Sequence, residues 1–258
     1  MQSRPALLPN KSGLQKTLIG NQIKSKIMKH FKLTSETKVN LFGVTLFRVE
    51  LTADCKWGKV GDKGGFIEKE KNLSGNAWVS GNAWVYGNAE VSGNAWVSGN
   101  AWVSGDAEVS GNAWVSGNAE VSGNAWVSGD AEVSGNARVS GNARVSGDAE
   151  VSGNAWVSGD AEVSGDAEVS GNARVSGNAW VSGDAVSTKK VFTLNFVYFL
   201  TLTDLHIRFG CVQKTIQEWI DWLSSDGIIE TPRNTDKFKL IEMSLNLAIE
   251  QHKQSNEQ

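Results

Sequence analysis

The sequence predicts a mainly β protein, a solenoid of short strands followed by a small C-terminal α/β module. Three observations lead there. From Ser74 to Val181 the unit Ser-Gly-Asn-Ala-Trp-Val runs through 18 consecutive hexads without insertion, and a shortened nineteenth ends at Val186. Within each hexad Ala–X–Val alternates, as in a short strand with Ala and Val on one face and X on the other. Between strands sits Gly-Asn or Gly-Asp, two residues that tolerate positive φ and so mark a corner. Six is not a helical period, and Gly, Val, Ser and Asn are poor helix formers. Strands joined by identical corners wind into coils. Three hexads per coil give a triangular prism of about six coils, roughly 29 Å long.

Composition and charge follow the repeat. Eight of the 11 tryptophans occupy the X position. The repeats through Val186 hold 13 acidic residues and 3 arginines, residues 1–73 hold 14 basic and 6 acidic, and residues 187–258 hold 8 basic and 9 acidic. A net charge of −3 therefore combines a basic front with an acidic rod, and argues against general nucleic-acid binding. Two cysteines, Cys55 and Cys211, are too few for a disulfide scaffold.

Residues 18 apart stack, so the outward columns can be written down. The first runs Trp78, Trp96, Trp114, Glu132, Glu150, Glu168. The second runs Trp84, Trp102, Glu120, Arg138, Trp156, Arg174, and the third Glu90, Glu108, Trp126, Arg144, Glu162, Trp180. Trp78, Trp84, Trp96, Trp102, Trp114 and Trp126 form the candidate binding surface. They are expected to staple the coils by stacking, to meet a protein partner, or to bind carbohydrate. Glu132, Glu150 and Glu168 place like charges one strand apart, which is unfavourable. Arg138, Arg144 and Arg174 compensate, or a cation does.

The unit Val-Ser-Gly-Asn-Ala-Trp resembles the hexapeptide pattern of left-handed parallel β-helices, with Ser a mild departure in its second slot. The resemblance implies a single-stranded left-handed helix, and such prisms often assemble as homotrimers. Upstream, Val44-Thr-Leu-Phe-Arg-Val and Lys59-Val-Gly-Asp-Lys-Gly-Gly-Phe-Ile-Glu resemble the leader of YdcK-like bacterial, phage and prophage proteins. Their Gly-Asn-Ala-x-Val repeats follow a Gly-Gly-(Phe/Trp)-Ile-Glu motif. An enterobacterial member is described as an acetyltransferase on the hexapeptide alone.

Four regions follow. Residues 1–27 read as a flexible basic tail with no signal-peptide run, and Met28 as a second possible start. Residues 28–73 read as an N-terminal β cap, with short strands over Val39–Leu51 and Gly65–Glu68 and a turn at Gly61–Gly65. Residues 74–186 are the rod. Residues 187–258 read as one or two strands in Lys190–Thr203, then two helices. Thr215-Ile-Gln-Glu218 is a capping box opening a helix to about Leu223, with Gly227 ending that unit and Pro232 in the next connection. Phe238, Ile241, Leu245, Ala248 and Ile249 have helical spacing, giving a last helix over Thr235–His252.

This tail also resembles a C-terminal module of the same proteins, Thr-Asp-x-His-(Ile/Leu)-x-x-Gly-Cys with Glu-Trp beyond. Asp204, His206, Gly210, Cys211, Glu218 and Trp219 match, while Lys214 stands where a second His is expected. Cys211 with His206 as base and Asp204 as orienter is a catalytic candidate, set against a buried Cys and a hydrogen-bonded His near a turn. Acyltransferases of the hexapeptide fold use a histidine base, but His30, His206 and His252 all lie outside the repeats. The expected function is therefore a non-enzymatic, phage- or prophage-related scaffold presenting Trp and acidic ladders for assembly or partner binding. A carbohydrate- or receptor-binding phage accessory protein and an acyltransferase are the alternatives. No cofactor, metal, nucleic acid or membrane is expected, and the location is cytoplasmic or virion-associated.

Overall fold

The computed structural model describes residues 29–189, 191–195, 198–225 and 231–256. The expectations for the 1–27 tail, Met28 and Gly227 lie outside these residues. The leader forms β1 (Phe31–Val39), β2 (Thr45–Leu51) and β3 (Lys63–Ile67), paired antiparallel in that order. The expected strand over Val39–Leu51 is thus interrupted. Asn40 Oδ1 accepts from the backbone N–H of Phe42 and of Val44, both at 2.9 Å, and folds residues 40–44 into a hairpin turn. The turn expected at Gly61–Gly65 is shorter too. Gly64 and Gly65 lie inside β3, where a Cβ on Gly65 would come within 2.7 Å of the Ala83 carbonyl.

From β3 onward the chain is a parallel β-solenoid. Each hexad contributes one two-residue rung, Trp78–Val79 being the first, and rungs 18 residues apart pair in parallel on three sides. Thus Trp78 pairs with Trp96, Trp96 with Trp114 and Trp114 with Glu132. The three outward columns stand as the period predicts. There are about seven coils rather than six. The leader supplies the extra rungs in front, Phe66–Ile67 against Trp84–Val85 and a bridge from Leu73 to Val91, and Val186–Ser187 adds one behind.

Every Ala and Val of the 18 full hexads is fully buried or within 1% of it, which makes a continuous but thin core. A buried Val contributes about 1.5 kcal/mol or slightly more, and Ala far less. Coil-to-coil backbone hydrogen bonds carry the rest, as in Trp114 N–H to Ala131 O at 2.9 Å and Ser116 N–H to Val133 O at 2.9 Å. At the corners only Gly takes positive φ, and no other described residue does. The corner Asn or Asp sits in the turn beside Gly but does not take the positive φ that its type tolerates. Its side chain instead bonds along the rod, as in Asn94 Nδ2 to Asn112 Oδ1 at 3.1 Å.

The C-terminal module is a four-stranded antiparallel sheet, β4 (Phe192–Asn195), β5 (Phe199–Leu202), β6 (His206–Phe209) and β7 (Val212–Thr215). It is backed by α1 (Ile216–Ser224) and α2 (Asp236–Asn256). The capping box forms: Thr215 Oγ1 accepts from Glu218 N–H at 3.2 Å, and the Glu218 carboxylate accepts from Thr215 N–H at 2.7 Å. Trp219 is fully buried and donates its indole N–H to Ile207 O at 2.7 Å. All five expected core residues of α2 are buried. The module closes the open end of the rod. Trp180 N–H donates to Thr201 Oγ1, Val191 N–H to Arg174 O, and Gln213 Nε2 to Ser182 O. Trp180 N–H is an edge group that a further coil would otherwise satisfy, as Ala173 O satisfies Trp156 N–H within the rod.

Candidate functional site

The outward faces of the rod are the most distinctive surface, and the first column changes character halfway along. At its front the leader folds over it. Trp78 is buried at 4% exposure, so it is not part of an exposed ladder. Trp57 packs on Trp96 with ring centroids 5.4 Å apart. Trp96 stacks on Trp114 at 4.9 Å and 12°, and Trp84 on Trp102 at 5.3 Å and 2°. Near-parallel rings spaced by one coil stack along the rod and turn their edges, not their faces, outward. The indoles are held in a second way. Trp96 Nε1 donates to Ser80 Oγ at 2.8 Å, and Trp114, Trp156 and Trp180 reach Ser98, Ser140 and Ser164 likewise. The Ser in the second slot of the hexad is the indole's acceptor one coil back.

Beside this column runs an amide ladder. Asn76 donates Nδ2–H to Asn94 Oδ1, Asn94 to Asn112, and Asn112 to Asp130 at 2.7 Å. A carboxylate has no N–H to pass on. Asp148, Asp166 and Asp184 follow at the same corner, so the ladder ends at Asp130. In that same coil the aromatic column gives way to Glu132. From there one face carries Asp130, Asp148, Asp166 and Asp184 beside Glu132, Glu150 and Glu168. Elsewhere the amide ladder runs on, as from Asn100 through Asn118, Asn136 and Asn154 to Asn172.

The arginines do not compensate the acidic column. Each turns one coil back within its own column. Arg138 approaches Glu120 at 3.7 Å, Arg144 lies over the Trp126 ring at 5.3 Å, and Arg174 over Trp156 at 5.7 Å. The prism puts the three columns on different sides, and the nearest outward neighbour lies along the column. Trp180, last in its column, receives its cation from the module. The Arg208 guanidinium lies 3.4 Å from the Trp180 ring centroid, and Nη1 donates to Ser182 Oγ at 2.7 Å. Burial there pulls the Arg208 pKa down. Among the described residues no ion pair reaches Glu132, Glu150 or Glu168, and Asp184 has only the His206 imidazole at 3.8 Å. No group of three or more described His, Cys, Asp or Glu side chains is arranged to hold a metal ion.

The structure does not assemble Cys211, His206 and Asp204. In the β6–β7 hairpin Cys211 is an exposed thiol in the turn, while His206 pairs with Thr215, three residues beyond the Phe209–Val212 pair that closes the turn and about 10 Å up the ladder from it. The Asp204 carboxylate accepts instead from Thr188 N–H at 2.8 Å and from Thr188 Oγ1 at 2.5 Å. The other two histidines are tied to backbone carbonyls, His30 to Ala77 O and His252 to Asp204 O. A cleft of about 720 Å³ lies between the last coil and α2, lined in part by Ser176, Lys189, Asp204 and His252. Lys189 does not point free into it, since its ammonium bonds to Ser255 O at 2.7 Å.

A family model described as the YdcK beta solenoid repeat matches residues 89–105, 131–147, 137–153, 143–159 and 167–183. The repeat is YdcK-like. All the YdcK-like matches fall inside the coils, and the leader, the C-terminal module and the acidic corner at Asp184 lie outside them. No curated protein matches the chain. No helix among the described residues is long and apolar enough to cross a membrane.

Proposed function

We propose that this chain is a non-enzymatic scaffold whose rod, a left-handed hexapeptide-type prism of phage or prophage descent, offers its acidic face to a basic protein partner. The observation that carries this is the double switch between Asn112 and Asp130 and between Trp114 and Glu132. One coil ends both the amide ladder and the aromatic stack, and seven carboxylates follow along one side. Like charges one strand apart destabilise a sheet. Continuing Asn and Trp would have been the more stable choice, so the acidic stretch costs stability that a partner's positive charges would return. The regular coils carry no inserted loop and no histidine, which favours a scaffold over an acyltransferase.

The test is the triple variant Glu132→Gln, Glu150→Gln, Glu168→Gln. The expected result is a higher melting temperature together with loss of salt-sensitive partner capture from the native host. Capture unchanged by the triple substitution would remove the acidic face from the function.

A further inference from the structure

The long C-terminal helix has a second apolar face that the fold leaves uncovered. α2 is 21 residues long and packs on the module through Phe238, Ile241, Leu245, Ala248 and Ile249. On its other side Leu240, Met243 and Leu247 are 42, 66 and 47% exposed. Their spacing of three and four places them on one stripe. No described residue covers that stripe. Two ion-paired dyads bracket it. Asp236 binds Lys239 at 2.9 Å toward the start, and Glu250 lies 3.8 Å from Lys253 toward the end. All four are exposed.

From this pattern we infer that α2 is a self-association face, on which a second copy of the chain docks its own α2 antiparallel. The acid comes first and the base second in both dyads. An antiparallel pair related by a two-fold axis sets Asp236 opposite Lys253 of the second copy, and Lys239 opposite Glu250 of the second copy. Both ends then match in charge while the Met243 side chains meet within one turn at the centre. A parallel pair would set Asp236 against Asp236 and Lys239 against Lys239, which is repulsive. The contact uses residues of α2 alone and none of the acidic column, so the inference stands independently of what the rods bind. One helix per copy is a small interface, so the dimer is concentration-dependent.

The experiment is sedimentation velocity of the full chain over a concentration series. The expected result is a shift from one chain mass to two. Met243→Glu weakens dimerisation by roughly tenfold or more, because it places a charge at the centre of the contact. Lys239→Glu and Glu250→Lys each weaken it alone, and the double variant Lys239→Glu/Glu250→Lys restores it. Far-UV circular dichroism checks that each variant keeps its fold, as expected for exposed positions. A chain that stays monomeric throughout, a trimer, a dimer insensitive to Met243→Glu, or a double variant that restores nothing would each overturn the inference.

Discussion

Asn112 donates its side-chain amide to Asp130 at 2.7 Å, and the ladder of which this bond is a part goes no further. The reason is chemical. An Asn both accepts from the coil before and donates to the coil after, whereas an Asp accepts only. One substitution type, Asn to Asp, is therefore enough to divide a face of the rod into a self-paired half and an open half.

The first prediction follows from this division. Asp148→Asn gives the corner a donor aimed at Asp166 and removes one like charge from the stack. The melting temperature should rise, by the equivalent of about 0.5 kcal/mol for an exposed bond. The control Asn118→Asp, inside the unbroken ladder between Asn100 and Asn136, should lower it. Differential scanning calorimetry on the two variants checks both signs. A lower temperature for Asp148→Asn would mean that the corner carboxylates are held by something other than water.

The second prediction separates two reasons for glycine. Gly111 has φ of 70°, and a Cβ there would lie 2.8 Å from Gly129 O. Gly177 has φ of 64° but nothing within 4 Å of its would-be Cβ. Gly177→Ala therefore meets only the left-handed backbone penalty, about 1–2 kcal/mol. Gly111→Ala meets the same penalty and must also push two coils apart, which adds roughly 1–3 kcal/mol. Thermal or urea unfolding of the two single variants measures the difference directly. Equal losses would show that the coils yield without cost.

The third prediction concerns the closed end of the rod. Arg208→Ala removes the cation over the Trp180 ring and the bond to Ser182, and should cost about 1–2 kcal/mol at that seam. Arg208→Lys should recover only part of this, because an ammonium cannot lie flat on an indole. Hydrogen exchange reads the effect locally. The amide of Trp180, donated to Thr201 Oγ1, should lose protection while that of Trp114 in mid-rod keeps it.

The registers were legible because the period is strict. Once residues 18 apart are stacked, Trp114 must face Glu132 whatever the hand of the coil. The two ladders that hold the corners and indoles were harder to see. They depend on where a side chain points, and Asn112 to Asp130 or Trp96 to Ser80 is a contact between residues that the pattern alone treats as free. The burial of Trp78 was hidden for another reason, since the leader that covers it obeys no repeat. In the module, the Thr215–Glu218 box and the core face of α2 were readable from local spacing. The separation of Cys211 from His206 was not, because it is set by the register of the β6–β7 hairpin.

The last prediction is a pH dependence of the module. The Glu218 carboxylate accepts from Thr215 N–H and from Thr215 Oγ1, and these bonds hold its pKa below the ordinary carboxylate value. A carboxylate whose pKa is lower folded than unfolded stabilises the fold fully above the unfolded value, about 4.3 for Glu. That contribution is lost as pH falls through the folded value. The same sign applies in the leader to Glu36, lowered by Lys63 and then Arg48, and to Asp54, lowered by Val60 N–H and then Lys59. Acid should therefore loosen the two ends of the molecule before the coils, whose continuous coil-to-coil ladder joins backbone N–H to backbone C=O and does not titrate. Glu218→Gln isolates one of these contributions, since a glutamine keeps the box but cannot lose a charge. Amide exchange at the start of α1, followed from neutral pH down through the carboxylate range, should quicken in the native chain relative to its intrinsic rate. In the Glu218→Gln variant that acid-dependent loss of protection should be absent. If it persists unchanged, the Thr215–Glu218 pair is not what titrates there.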